Sequence, residues 1–88
     1  MALTVEYSSR FVRTFRKLDP ALQEEVVEKV DLLKSATNHK RLKVHKLTGK
    51  LKGVWSFSVN YRIRITFAKP KKNVFLLETI GTHDEVYE

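Results

Sequence analysis

Two arginines and a histidine in the second half of the chain are the residues best suited to chemistry. Arg62 and Arg64 stand two apart in Tyr61-Arg62-Ile63-Arg64-Ile65-Thr66-Phe67, a segment that alternates polar with apolar residues in the period of a half-buried strand. On such a strand the two guanidinium groups project side by side, and each planar fork binds phosphate oxygens bidentately. His83 lies in Gly81-Thr82-His83-Asp84-Glu85-Val86-Tyr87, just past the strand-like run from Val74 to Ile80, with the glycine allowing a sharp turn. Imidazole exchanges a proton near neutral pH, and Tyr87 adds a hydroxyl at the tail. A proton acceptor, a proton donor and positive charge suit RNA cleavage by internal attack of a 2′-hydroxyl, which needs no metal. The plainer alternatives are a solvated tail for residues 81–87 and an ion pair of Arg64 with Glu78 on the neighbouring strand.

Other chemistries lack their residues. His39, His45 and His83 have no metal-ligand spacing, and Asp84 adjoins His83 rather than standing a helical turn away, so no metal or cofactor is expected. No phosphate-cradling glycine loop and no supported serine nucleophile is present. With no cysteine there is neither a disulfide framework nor a thiolate site. No stretch is apolar and long enough to span a bilayer and no leader pattern opens the chain, so a cytoplasmic protein without a membrane partner is expected.

The net charge of +7 is unevenly spread: no acidic residue occurs from Leu32 to Leu77, a segment that holds Lys40, Arg41, Lys43, Lys46, Lys50, Lys52, Arg62 and Arg64 among its cations. Its natural counter-charge is a polyanion, with an acidic protein as the alternative. Lys43, Lys46, Lys50, Lys52 and Arg64 are the candidate RNA contacts. Lys69, Lys71 and Lys72 flank Pro70 in an expected hairpin loop and read as solubilising charge.

The elements that must position these groups form one domain over residues 1–88. Thr4 to Tyr7 is β-prone, and Ser8 or Ser9 caps a helix whose apolar side is Phe11, Phe15 and Leu18. Asp19-Pro20 starts a second helix with Leu22, Val26, Val30 and Leu33 as its buried stripe, and the short connection makes a helical hairpin. Trp55 to Val59, Tyr61 to Phe67 and Asn73 to Ile80 form an antiparallel meander, with a turn at Asn60, that the first strand joins by a crossover. The expectation is an α+β fold of order β-α-α-β-β-β: a helical hairpin on one face of a small, mainly antiparallel four-stranded sheet. The helices cover Trp55, Phe57, Ile63, Ile65 and Phe67, leaving Ser56, Ser58, Arg62, Arg64 and Thr66 on an open face. There the end of the last strand lies beside the start of the Tyr61 strand, so His83 and Arg62 come close.

That element order, the segment His45-Lys46-Leu47-Thr48-Gly49-Lys50-Leu51-Lys52-Gly53, the pair Tyr61-Arg62 and the ending Gly81 to Tyr87 together resemble the RelE/ParE superfamily of bacterial toxins, nearest its YafQ-like branch. The resemblance spans nearly the whole chain. It implies a small ribonuclease, an mRNA interferase that cuts messenger RNA on the ribosome and is wrapped and blocked by a cognate antitoxin; the basic charge of the chain adds that an acidic segment of that partner would cover the site. It also implies site roles: His83 as general acid or base, His45 as a second functional histidine, Arg62 as the phosphate-stabilising arginine, and Tyr87 as the aromatic that stacks on or activates the substrate. The chain departs from both branches, with Ser56 and Ser58 where RelE has lysines, Ser58 where YafQ-like proteins have a histidine, and Tyr61-Arg62 close to where they have Asp-Trp. Two other readings stay open: a ParE-like poison of DNA gyrase, and a catalytically weak relative that mainly binds its antitoxin.

Overall fold

Local capping starts both long helices. Strand β1 (Thr4–Tyr7) ends at Ser8, whose hydroxyl accepts a hydrogen bond from the Phe11 amide at 3.0 Å and opens α1 (Ser9–Arg16). The same hydroxyl reaches the Glu78 carbonyl at 3.3 Å, which ties the cap to the sheet. Asp19 repeats the device for α2 (Pro20–Leu33), accepting from the Leu22 amide at 2.9 Å with Pro20 in the first turn. Gln23 closes the hairpin by donating its side-chain amide to the Phe15 carbonyl at 2.9 Å. The buried stripe is Phe11, Val26, Val30 and Leu33, with Phe15, Leu18 and Leu22 half-buried beside it, as the three-and-four spacing predicts. The computed structural model describes residues 3–48 and 53–87, with only the backbone of Tyr87.

A 3-10 turn at Ala36–Asn38 leads to β2 (His45–Lys46), β3 (Trp55–Ser58), β4 (Ile63–Lys71), β5 (Val74–Thr82) and α3 (His83–Tyr87). The sheet order is β1-β5-β4-β3-β2, with β1 parallel to β5 and the other pairs antiparallel. The α+β class, the helical hairpin and the crossover agree with expectation. The sheet gains a fifth strand, because His45 and Lys46 pair with Ser56 and Trp55 along the edge of β3.

Three details differ from the sequence reading. β4 begins at Ile63 rather than Tyr61, because the Asn60 side-chain oxygen accepts from the amides of Arg62 and Ile63 at 2.9 and 2.8 Å and holds them in a turn. β5 runs on through Gly81, which pairs with Arg64, so the chain turns after Thr82 and not at the glycine. Pro70 lies within β4 at a register irregularity between Ala68 and Lys71, where a missing N–H is tolerated, and the loop shrinks to Lys72-Asn73.

Cross-strand rows build the core on the helix-covered face. Phe57, Ile65 and Ile80 form one row and Trp55, Phe67 and Leu77 the next. The Phe67 ring stacks on Phe75 at 4.4 Å and meets Phe57 and Trp55 at 6.0 and 6.2 Å. Truncating so central a ring to alanine costs about 3–5 kcal/mol, a large part of the roughly 4–13 kcal/mol expected of a domain this small. Between the pairs Thr66–Thr79 and Phe67–Leu77 the ladder skips Glu78, a bulge on β5.

Candidate active site

Partner residues on adjacent strands project to the same face, so the register fixes what the face away from the core carries. One row is His45, Ser56, Thr66 and Thr79, and the next is Ser58, Arg64 and Gly81. This face is less open than the sequence implies. Ser56 and Thr66 are buried, and the hydroxyls of Thr66 and Thr79 hydrogen-bond to each other, which satisfies polar groups that burial would otherwise penalise. α3 folds back over the face: a Cβ built on Gly81 lies 3.1 Å from Glu85 Cβ and 3.2 Å from Val86 Cγ1.

α3 is held by a capping box. Glu85 accepts from the Thr82 amide at 2.8 Å while the Thr82 hydroxyl accepts from the Glu85 amide at 3.3 Å. The backbone hydrogen bond from Thr82, seconded by its hydroxyl, holds the Glu85 carboxyl below its ordinary value. The pattern Thr82 followed three residues later by Glu85 is a helix-start signal present in the sequence, and it marks residues 83–87 as a helix rather than a solvated tail.

The candidate residues come together in part. Ile63 pairs with Thr82 at the last rung between β4 and β5, so Arg62 and His83 are the next positions beyond that rung. His83 is exposed, with its Nδ1 3.7 Å from Asp84 Oδ1. Arg62 and Arg64 are not side by side on a strand. Arg62 sits in the turn, and Arg64 bends back so that its Nη1 donates to the carbonyls of Asn60 at 2.7 Å and Tyr61 at 3.0 Å. Arg64 faces Gly81 across the ladder, not Glu78, so the expected ion-pair alternative does not form.

His45 opens the neighbouring row at the opposite edge. Ladder spacings put its Cα roughly 16 Å from that of Arg62, so the two bracket the face without touching. Its Nδ1 lies 2.7 Å from the Lys43 carbonyl; a carbonyl only accepts, so Nδ1 carries the proton and Nε2 of the neutral ring is left as a base. Lys43 and Lys46 lie on this edge and are exposed. Lys50, Lys52 and the Tyr87 side chain lie outside the described residues. The third histidine, His39, bonds the Leu33 carbonyl at 2.7 Å and packs on Phe75, a structural role at the end of α2.

The charge on the face is divided. Between α1 and α3 a polar cleft is lined by Arg10, Thr66, Thr79, Glu78 and Glu85, and its two carboxylates disfavour a polyanion. The cationic side is the end of the sheet at the β3–β4 turn. No helix among the described residues is long and apolar enough to cross a membrane.

No protein-family model and no curated protein sequence matches the chain. Solved structures share its fold. A chain of the toxin-antitoxin complex RelBE2 from Mycobacterium tuberculosis superposes with a TM-score of 0.74 at 20% identity, covering 94% of this chain and 100% of that one. YafQ from E. coli gives 0.66 at 16% identity over 98% and 99% of the two chains. A chain of the archaeal RelE-RelB complex from Pyrococcus horikoshii gives 0.70 at 17% identity over 93% and 96%. The chain has the RelE-type toxin fold.

Proposed function

We propose that this chain, built on the fold of RelE and YafQ, is the toxin of a toxin-antitoxin pair and acts as an endoribonuclease on messenger RNA engaged with the ribosome. The observation that carries the reading is the Ile63–Thr82 rung, from which Arg62 and His83 leave as neighbours at one end of a rigid sheet. In the proposed reaction the 2′-hydroxyl loses its proton to a base as its oxygen bonds to phosphorus. The bond from phosphorus to the 5′-oxygen breaks, and an acid protonates that oxygen, leaving a cyclic phosphate. His83 is the acid or base nearest the phosphate, and Arg62, exposed and free to extend, neutralises the phosphorane. Arg64 holds the turn that presents Arg62, because its guanidinium is engaged with the turn carbonyls. His45, with Nε2 as acceptor, serves the substrate from the opposite margin of the site, and Tyr87 is the aromatic proposed to stack on or activate it.

The RelBE2 structure is a toxin-antitoxin complex and the archaeal one a RelE-RelB complex, and the excess of basic residues here suits an antitoxin whose acidic segment covers the site by folding on binding. Induction of the protein in cells, with translation and DNA supercoiling followed separately, tests the assignment. The expected result is arrested translation with unchanged supercoiling. Loss of supercoiling ahead of translation arrest assigns the protein to gyrase inhibition instead, and no effect on either leaves it as an antitoxin-binding relative without catalysis.

A further inference from the structure

At the end of the sheet a groove of about 460 Å³ runs between α2, residues 41–43 and the β3–β4 turn, and its cations are Lys29, Arg41, Lys43 and Arg64. Tyr61 stands on its rim and is 94% exposed. A large aromatic so exposed adds nothing to the core, yet its backbone is fixed with unusual care. Asn60 accepts from the amides of Arg62 and Ile63 and donates to Glu25 at 3.1 Å, while Arg64 donates to the Tyr61 carbonyl at 3.0 Å. An aromatic on a pinned turn is a pre-ordered stacking platform, and every nucleobase offers it a face.

The opposite wall is as firmly held. Lys43 adopts φ 58°, a left-handed conformation rare for a residue with a side chain, and it is kept there by His45 on its carbonyl at 2.7 Å and by its own amide on the Lys40 carbonyl at 3.1 Å. The Ser58 amide bonds the Leu42 carbonyl at 2.8 Å, which fastens the segment to the edge of β3. Glu28 lies 3.7 Å from Lys29, and Glu25 is engaged with Asn60. Neither Arg41 nor Lys43 has an ion-pair partner among the described residues. The carboxylates of the α1–α3 cleft turn a polyanion away from the other side of the face, whereas this groove is lined by Tyr61, the chain neighbour of Arg62, and by Arg64 and Ser58 of the active-face row.

We propose that this groove binds the backbone of the single-stranded RNA flanking the cleaved bond, with Arg41 and Lys43 on its phosphates and Tyr61 stacked on one of its bases. The assignment rests on the reading of the adjoining face as an RNA-cleaving site. The test uses the purified chain and a short, fluorescent, fully 2′-O-methylated single-stranded RNA, which binds without being cut, with anisotropy read over a range of salt. Tyr61→Ala weakens binding about tenfold while Tyr61→Phe keeps it, as stacking without the hydroxyl requires. Arg41→Gln and Lys43→Gln each reduce the slope of log affinity against log salt by about 0.7. On messenger RNA presented by programmed ribosomes these variants raise KM and leave kcat unchanged. Wild-type affinity and salt slope in all the variants, or a wild type that binds no RNA, overturns the groove assignment. So does loss of affinity for a polyglutamate peptide with RNA binding intact, which makes the groove a protein dock. Absent cleavage of messenger RNA on ribosomes, with RNA binding and its salt slope as expected, overturns only the active-site reading.

Discussion

Gly81 is a point at which the sheet and α3 pack closely, and replacing it separates catalysis from stability. Its ladder position opposite Arg64 is an ordinary strand site, so the constraint is space and not backbone conformation. A single methyl meets Glu85 Cβ at 3.1 Å and Val86 Cγ1 at 3.2 Å, a few tenths of an ångström inside comfortable contact. The isopropyl group of Gly81→Val reaches about a further bond length outward and forces α3 away by roughly 1 Å or more. That movement breaks the Thr82–Glu85 capping box, an exposed contact, while valine in place of glycine favours the strand. The two nearly cancel, so global stability in urea should stay within about 1 kcal/mol of wild type. Catalysis has no such compensation, because a displacement of that size at a reacting group costs about a hundredfold. RNA cleavage by Gly81→Val should therefore fall about a hundredfold, and by Gly81→Ala severalfold. Cleavage by Gly81→Val within a factor of three of wild type, in a protein with unchanged stability, refutes the coupling of α3 to the site.

Two further outcomes follow from the same contacts. Asn60→Ala removes the acceptor for two turn amides and the partner of Glu25, and should cost about 1–3 kcal/mol in urea denaturation and lower cleavage by loosening Arg62; an unchanged midpoint contradicts the role assigned to the turn. Glu85 is held below its ordinary pKa by Thr82, so its stabilisation of α3 is fully present above the ordinary carboxylate value and is lost as pH falls through the lowered one. The protection factors of the α3 amides, which divide out the intrinsic pH dependence of exchange, should fall over that range ahead of those in β4 and β5, and Glu85→Ala should remove that fall.

Sequence pattern and structure agree where side-chain chemistry acts locally. Ser8 and Asp19 cap the helices expected of them, and Val26, Val30 and Leu33 are buried as their spacing requires. The differences come from groups acting across chain distance. The alternation from Tyr61 to Phe67 is that of a strand, but the Asn60 side chain claims the amides of Arg62 and Ile63 and removes Arg62 from the ladder. The Glu78 bulge and the two-residue β2 depend on pairing that no local period encodes. α3 is too short for a hydrophobic stripe, and only its capping box betrays it. Of the site, the neighbourhood of Arg62 and His83 was legible because meander topology puts those strand ends together. The covering of the open face was not, since it depends on where five residues fold back.

The most direct test of the account is the end chemistry of messenger RNA cut by the purified protein on programmed ribosomes, with wild type compared with His83→Ala. Internal 2′-hydroxyl attack predicts 2′,3′-cyclic phosphate ends, no cut at a 2′-deoxy nucleotide, and loss of cleavage in His83→Ala with antitoxin binding retained. Products with free 3′-hydroxyl ends, cleavage at a 2′-deoxy nucleotide, or full cleavage by His83→Ala contradicts it.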